Sequence, residues 1–225
     1  MTIALITGGS AGLGLALVQT LATPGSTVIT DARDPDRLAA VGATSVVTIA
    51  GDVADSEHRA ALVAEVERLG RLDLLVHNAS TLGPVPLRPL REVSEQDLVH
   101  TWTVNAGAPV ALTRALLPWL RASGGVLLSV SSDAAVEHYP TWGAYGASKA
   151  ALDHLMLTIA AEEGLTAYAV DPGDMRTAMH QAAFPGEDIS DRPEAATVVP
   201  AFLELLRRRP PSGRYRAAEL MPAGV

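Results

Sequence analysis

The sequence contains no cysteine. That rules out a disulfide framework and thiolate chemistry, and it fits a reducing compartment. Aromatic residues make up only 4% of the chain, against 48% hydrophobic residues overall, so a core has to be built from Ala, Val and Leu. Positive charge is also short: 17 Lys and Arg face 25 Asp and Glu, a formal net charge of −8. A phosphate-backbone partner needs a basic face, so nucleic acid is not expected as a partner. The basic run Arg207 to Arg209 closes a helical pattern, where it complements the helix dipole. No apolar run reaches the roughly 20 residues of a membrane-spanning helix, and the first residues lack the basic region and long apolar core of a signal peptide. The six histidines show no ligand spacing, so no metal is expected. These absences lead to the expectation of a soluble, cytoplasmic protein with no membrane partner.

What is present is alternation. Short apolar runs at 3–7, 27–30, 44–49, 72–77, 125–130 and 165–170 are bounded by Gly, Asp or Asn, as strands covered on both faces should be. Helical patterns lie between them, near 13–22, 35–41, 56–69, 94–121, 144–163 and 194–208. The pattern at 94–121 is long for one helix, and Gly107 and Pro109 mark a break or kink in it. A repeated strand-then-helix order predicts an α/β fold, a doubly wound parallel sheet with helices on both faces. No repeat or linker divides the 225 residues, so one domain spanning 1–225 is expected.

Residues 7–14 read TGGSAGLG and fall at the first strand-to-helix turn. Glycine contributes no packing, so a cluster of it suggests that something approaches the main chain closely. A helix N-terminus at that point offers free N–H groups to a pyrophosphate. A tight turn chosen for geometry alone is the other reading, and the spacing Gly8-x3-Gly12-x-Gly14 differs from the usual dinucleotide fingerprint G-x-G-x-x-G.

That spacing resembles the cofactor turn of the short-chain dehydrogenase/reductase family. The family's other landmarks follow in order: Asp52-Val53, Asn78-Ala79, Asn105, Ser132, Tyr145-x3-Lys149, and Pro172-Gly173 with Thr177. The resemblance spans residues 1 to about 180. It implies a Rossmann-like domain that binds NADP(H) or NAD(H) through Gly8, Ser10, Gly12, Leu13, Gly14, Arg33, Asp52, Val53, Asn78, Ala79, Ser80, Tyr145, Lys149, Pro172, Gly173, Met175 and Thr177. It also implies hydride transfer between a nicotinamide and a carbonyl or alcohol carbon of a small molecule, with Ser132, Tyr145, Lys149 and Asn105 as the catalytic set. Asn105 would hold a water that connects the lysine to solvent. The helices around 105–121 and 144–163 would pack across a two-fold axis, giving a homodimer or homotetramer.

The residues support this chemistry on their own terms. Tyr145 and Lys149 are four apart in a helical run and share a face. A phenol titrates at about 10, and a fixed ammonium beside it is expected to favour the phenolate. An ordinary exposed Tyr–Lys pair is the alternative. Ser132, at a strand's C-terminal end, can hold a substrate oxygen beside the phenol; Ser131 competes for that role, and the resemblance to the family, by its spacing, implies Ser132 with Ser131 turned the other way.

The chain departs from the family at several points. His77 stands where Asn is common, Ser80 where Gly is, and Asp171 where Asn is. GRYRAAEL (213–220) replaces a glycine-rich ending, and the segment 179–193, in the region 178–195 that would cover the substrate, is short. His138, Trp142, Met175 and Met179 are candidate walls of the substrate pocket. A non-catalytic nucleotide sensor, or an epimerase or dehydratase with tightly held NAD, are the competing functions.

Cofactor choice turns on the end of the second strand, T-V-I-T-D-A-R. An acid there selects NAD, and a base accepts the 2′-phosphate of NADP. By the family's spacing the selecting position is Ala32, followed by Arg33, while Asp31 comes one residue early and turns to the other face. NADP(H) is therefore expected, with NAD(H) possible. A solvated Asp31–Arg33 pair is the plainer reading of the same residues.

Overall fold

The structure is a computed structural model that describes residues 2–42 and 44–220. Its strands are β1 (Thr2–Ile6), β2 (Ser26–Ala32), β3 (Val46–Ala50), β4 (Leu74–His77), β5 (Val126–Val130), β6 (Thr166–Asp171) and β7 (Gly213–Arg216). They form one seven-stranded sheet in the order β3-β2-β1-β4-β5-β6-β7, with every neighbouring pair parallel. The order reverses between β1 and β4, and a crevice opens there beyond the strands' C-terminal ends.

Side-chain alternation sends each strand's residues to two separate cores. Ala4 and Ile6 face helices α1 (Gly12–Leu21) and α8 (Val199–Arg208), where Leu17, Val18, Phe202 and Leu205 pack. Ile3 and Leu5 face the other layer, α3 (Ser56–Leu69), α5 (Ala108–Ser123) and α6 (Gly143–Glu163), through Leu62, Leu112, Leu116 and Leu152. The remaining helices are short: α2 (Pro35–Ala39), α4 (Glu95–Trp102), α7 (Ala178–Ala183) and α9 (Ala217–Leu220). Aspartate and serine start several of them; Asp55 accepts from the Glu57 N–H at the head of α3, and Ser94 from Asp97 at the head of α4. No helix of the described residues is long and apolar enough to cross a membrane.

The structure adds one element that the sequence did not announce and gives detail to two others. Strand β7 was not anticipated, because GRYR is a half-exposed edge strand with no apolar run, and its place depends on pairing with Tyr168 to Asp171 of β6. The helical run over 94–121 is interrupted where Gly107 and Pro109 mark it, between α4 and α5. One extra residue is absorbed in a π turn over Thr103–Gly107, and Pro109 sits in the first turn of α5, where its missing N–H costs nothing. The segment 179–193 includes α7, capped by the Thr177 hydroxyl.

One buried polar residue has a consequence for stability. His77 is 2% exposed on β4, with its Nε2 2.7 Å from the Thr113 hydroxyl, whose proton goes on to the Met156 sulfur. With that proton committed to the sulfur, the hydroxyl accepts from the ring's Nε2–H. Burial, reinforced by the charge of Lys149, pulls the imidazole's pKa from 6.5 to about 3. Because the folded value lies below the unfolded one, the unfolded chain takes up the proton first as pH falls. The stability this residue provides is complete above pH 6.5 and is lost as pH falls toward 3. His77→Asn keeps a donor for Thr113 and cannot titrate. Urea unfolding between pH 7 and pH 4 is expected to show the variant losing about 3 kcal/mol less than the parent.

Candidate active site

The turn after β1 is laced to the end of β4. The Thr7 hydroxyl accepts from the N–H groups of Asn78 and Ala79 (both 3.1 Å), and the Asn78 amide donates to the carbonyls of Thr7 (2.8 Å) and Gly8 (3.0 Å). This folding-back explains Gly14: a Cβ there would lie 2.3 Å from the Gly8 carbonyl oxygen and 2.4 Å from the Asn78 amide. Gly12, at φ +54°, opens helix α1. The preceding residue, Ala11, offers no side-chain cap, and no acid occupies the first turn. The first N–H groups of α1 thus lack the side-chain partners that Asp34, Asp55 and Ser94 give to α2, α3 and α4, and they suit an anion such as a diphosphate.

A cleft of about 620 Å³ runs from this turn along the strand ends. Of the sequence-derived cofactor residues, Gly8, Ser10, Gly12, Leu13, Arg33, Val53, Asn78, Ala79, Ser80, Pro172, Gly173, Met175 and Thr177 line it, and so do Ser132, Tyr145 and Lys149. Gly14, Asp52 and Asn105 do not; they stand behind the wall. Gly14 is packed as described, and Asp52 accepts from the Ala54 N–H and shapes the loop after β3. Trp142, Met175 and Met179 are on the wall, whereas His138 is exposed away from it.

Asn105 is fully buried in the π turn, and all its side-chain capacity is used. Its oxygen accepts from the Ser80 hydroxyl (3.1 Å) and the Thr81 N–H (2.8 Å), and its amide donates to the Thr81 carbonyl (2.8 Å) and the Ser148 hydroxyl (2.9 Å). The side chain has no bond left for a water. Its contacts instead pin the loop after β4 to α6.

Tyr145 and Lys149 are 7% and 2% exposed, which removes the reading as an ordinary surface pair. The ammonium donates to the Val130 carbonyl at 2.8 Å and lies 5.7 Å from the Tyr145 ring centre. Burial lowers the Lys149 pKa to about 8, with Asp153 working against the fall. The Tyr145 phenol departs from expectation. Burial pushes its pKa up, Asp133, Asp171 and Asp153 add to the rise, and only the adjacent Ser132 hydroxyl opposes it. The phenol keeps its proton. Ser132 donates to Asp133 (3.0 Å) and accepts from the Ala134 N–H (3.2 Å), while Ser131 turns away to donate to Asp153 at 2.6 Å.

A sequence model described as short chain dehydrogenase matches residues 2–188. The chain belongs to that family. As a short-chain dehydrogenase it is an oxidoreductase, and its relatives include an uncharacterized oxidoreductase, YciK, of Escherichia coli (strain K12), 34% identical over 218 residues that cover 91% of this chain and 85% of the relative. Benzil reductase ((S)-benzoin forming) of Saccharomyces cerevisiae is 35% identical over 193 residues, covering 79% of this chain and 73% of that enzyme. Among solved structures, a short chain dehydrogenase from Shigella flexneri 2a in complex with NADP superposes with a TM-score of 0.89 at 32% identity, covering 96% of this chain and 97% of the other.

Sequence reasoning missed the residue that ties this dehydrogenase's site together from behind. Arg214 on β7 donates from Nη2 to the Ser132 carbonyl (2.8 Å) and to Asp171 (3.2 Å), and its Nε lies 3.3 Å from Asp153. One guanidinium thus joins the ends of β5 and β6 to α6. Asp153, whose carboxyl is pushed up mainly by burial, depends on it and on Ser131. No local signal marks Arg214, because its three partners lie 43, 61 and 82 residues away. Arg214→Gln leaves two carboxylates uncompensated and is expected to cost about 3 kcal/mol in urea unfolding, the low end for a broken buried pair because the arginine keeps some water contact. Arg214→Lys should recover only part of that loss, since an ammonium cannot bridge three partners as the planar fork does.

Proposed function

We propose that the chain transfers a hydride between NADP(H) and the carbonyl or alcohol carbon of a small organic molecule, with Tyr145 as general acid and base. The observation that carries this reading is the convergence of the Tyr145 and Ser132 hydroxyls in the same cleft that the uncapped N-terminus of α1 opens onto. The nicotinamide supplies or accepts the hydride when bound. The chain's own residues do the rest. Ser132 turns its hydroxyl from Asp133 to the substrate oxygen, and Tyr145 gives that oxygen its proton in reduction or takes it in oxidation. Lys149 spends one proton on Val130 and has two more, enough for a ribose hydroxyl and the tyrosine side of the site.

For the cofactor, Arg33 is exposed at the end of β2 with no carboxylate partner among the described residues, and Ala32 before it offers only a methyl group. The guanidinium suits a 2′-phosphate, and the NADP complex of the Shigella relative supports the same choice. For the substrate, Trp142 stands edge-on to Tyr145 with ring centres 5.7 Å apart and lies 5.9 Å from Phe184. Those rings suit an apolar or aryl group beside the reacting carbonyl, in keeping with the name of the benzil reductase relative. We read residues 1–225 as one cofactor-binding domain, with 178–195 as the segment next to the substrate. The half-buried Val110, Trp119, Leu155 and Ile159 on α5 and α6 favour a homodimer or homotetramer.

Tyr145→Phe is expected to cut turnover of NADPH with a ketone panel by at least ~100-fold while dinucleotide titration stays close to the parent. A variant that turns over normally would remove Tyr145 from the proton-transfer role. Arg33→Ala is expected to lower kcat/KM with NADPH by roughly 10- to 100-fold and to leave NADH nearly unchanged, the loss of one charge-assisted contact. A parent enzyme that prefers NADH would end the NADP(H) assignment.

A further inference from the structure

We propose that His58 governs cofactor choice from outside the cofactor contacts, by holding Asp31 so that its carboxylate cannot accept from the adenosine ribose. The inference rests on the NADP(H) reading above and supplies a reason why an acid at the end of β2 does not defeat it.

A carboxylate at this strand end selects NAD by accepting ribose hydroxyls, and for that it needs a free oxygen facing the cleft. Asp31 is on the cleft wall, yet it is 1% exposed and both its oxygens are taken. One accepts from the Gly8 N–H at 2.8 Å, and the other lies 2.8 Å from the His58 Nε2 on α3. A carboxylate only accepts, so the ring's Nε2 carries the proton and donates. The Asp31 carbonyl accepts in turn from the Gly9 N–H at 3.0 Å, so the residue is tied to the glycine turn by both main chain and side chain. The imidazole has a fitted place: a Cβ on Gly51 would lie 2.1 Å from its Nδ1. The nearby Asp34 is also occupied, capping α2 and pairing with Arg37 at 3.4 Å. Arg33 is thereby left as the charged group at this end of the cleft with no carboxylate partner among the described residues. His58 touches no cofactor atom in this account; it is a positioning residue.

The test is calorimetric titration of the purified full chain with 2′,5′-ADP and with 5′-AMP, two probes that differ by the 2′-phosphate and need no turnover, followed by kcat/KM with NADPH and NADH. The parent is expected to bind 2′,5′-ADP more tightly. His58→Leu, which removes the donor, should shrink that preference about tenfold, chiefly by improving 5′-AMP and NADH. His58→Gln, which keeps a donor, should restore the preference, and His58→Leu in an Asp31→Asn background should leave the ratio unmoved. If His58→Leu fails to fold, His58→Asn, too short to reach Asp31, replaces it with the same expectation. A ratio unchanged in the folded variant, or an equal loss for both probes, overturns the inference and leaves His58 as a strut for the turn. A parent that favours 5′-AMP and NADH overturns the NADP(H) reading itself, before any variant is compared.

Discussion

An ammonium with almost no water around it sets the terms for the catalytic half of this molecule. Lys149 is 2% exposed and donates to one carbonyl, that of Val130. Taking such a charge out of water is costly unless other groups compensate. The compensation is distributed. Asp153 lies one helical turn further along α6 and favours the charged lysine. It carries its own desolvation penalty, which Ser131 and Arg214 offset. Arg214 in turn holds Asp171 and the Ser132 carbonyl. On the opposite side the ammonium helps to keep His77 neutral. Burial, opposed by Asp153, brings the Lys149 pKa to about 8, which leaves it largely charged at neutral pH.

The same balance decides the state of the tyrosine. The i,i+4 spacing of Tyr145 and Lys149 predicts a phenolate, because a fixed ammonium beside a phenol favours its charged form. The folded cleft also contains Asp133, Asp153 and Asp171, and it excludes water, so every one of these influences favours the neutral phenol. A protonated Tyr145 is the form that the proposed carbonyl reduction requires, since in that proposal the phenol gives a proton to the developing alkoxide. The acids that make the site look mismatched to an anionic base therefore favour the protonated form that the proposed reduction would use.

Strand and helix order, the parallel doubly wound sheet and the glycine turn were legible because each depends on local periodicity or on a short motif. What escaped depends on long-range pairing. The edge strand β7 has no apolar run, and only β6 beside it makes GRYR a strand. His58 reads as a polar residue in the first turn of a helix, and nothing in its neighbours in sequence announces Asp31, 27 residues away. The glycines were read too simply as well. Gly9 and Gly14 face protein atoms, the Thr30 side chain for one and the Gly8 carbonyl and Asn78 amide for the other. Their smallness serves the folding-back of the turn, which leaves Gly12 and the uncapped helix behind it for the proposed phosphate approach.

Asn105 shows how backbone geometry and side-chain chemistry can serve separate ends at one position. Its side chain is saturated by Ser80, Thr81 and Ser148, so it acts as a rivet between the loop after β4 and the helix that carries Tyr145 and Lys149. Its backbone lies in a π turn, where the regular i to i−4 ladder is interrupted and carbonyl groups are displaced from their usual partners. An ordinary helix over the same residues would shift Asn105 around the axis and lose the rivet. A true break would instead detach α4 from α5 and let the loop at Thr81 drift from α6. The extra residue keeps the helix continuous and aims the amide inward, which is why a polar residue near a glycine and a proline interrupts the pattern without ending it.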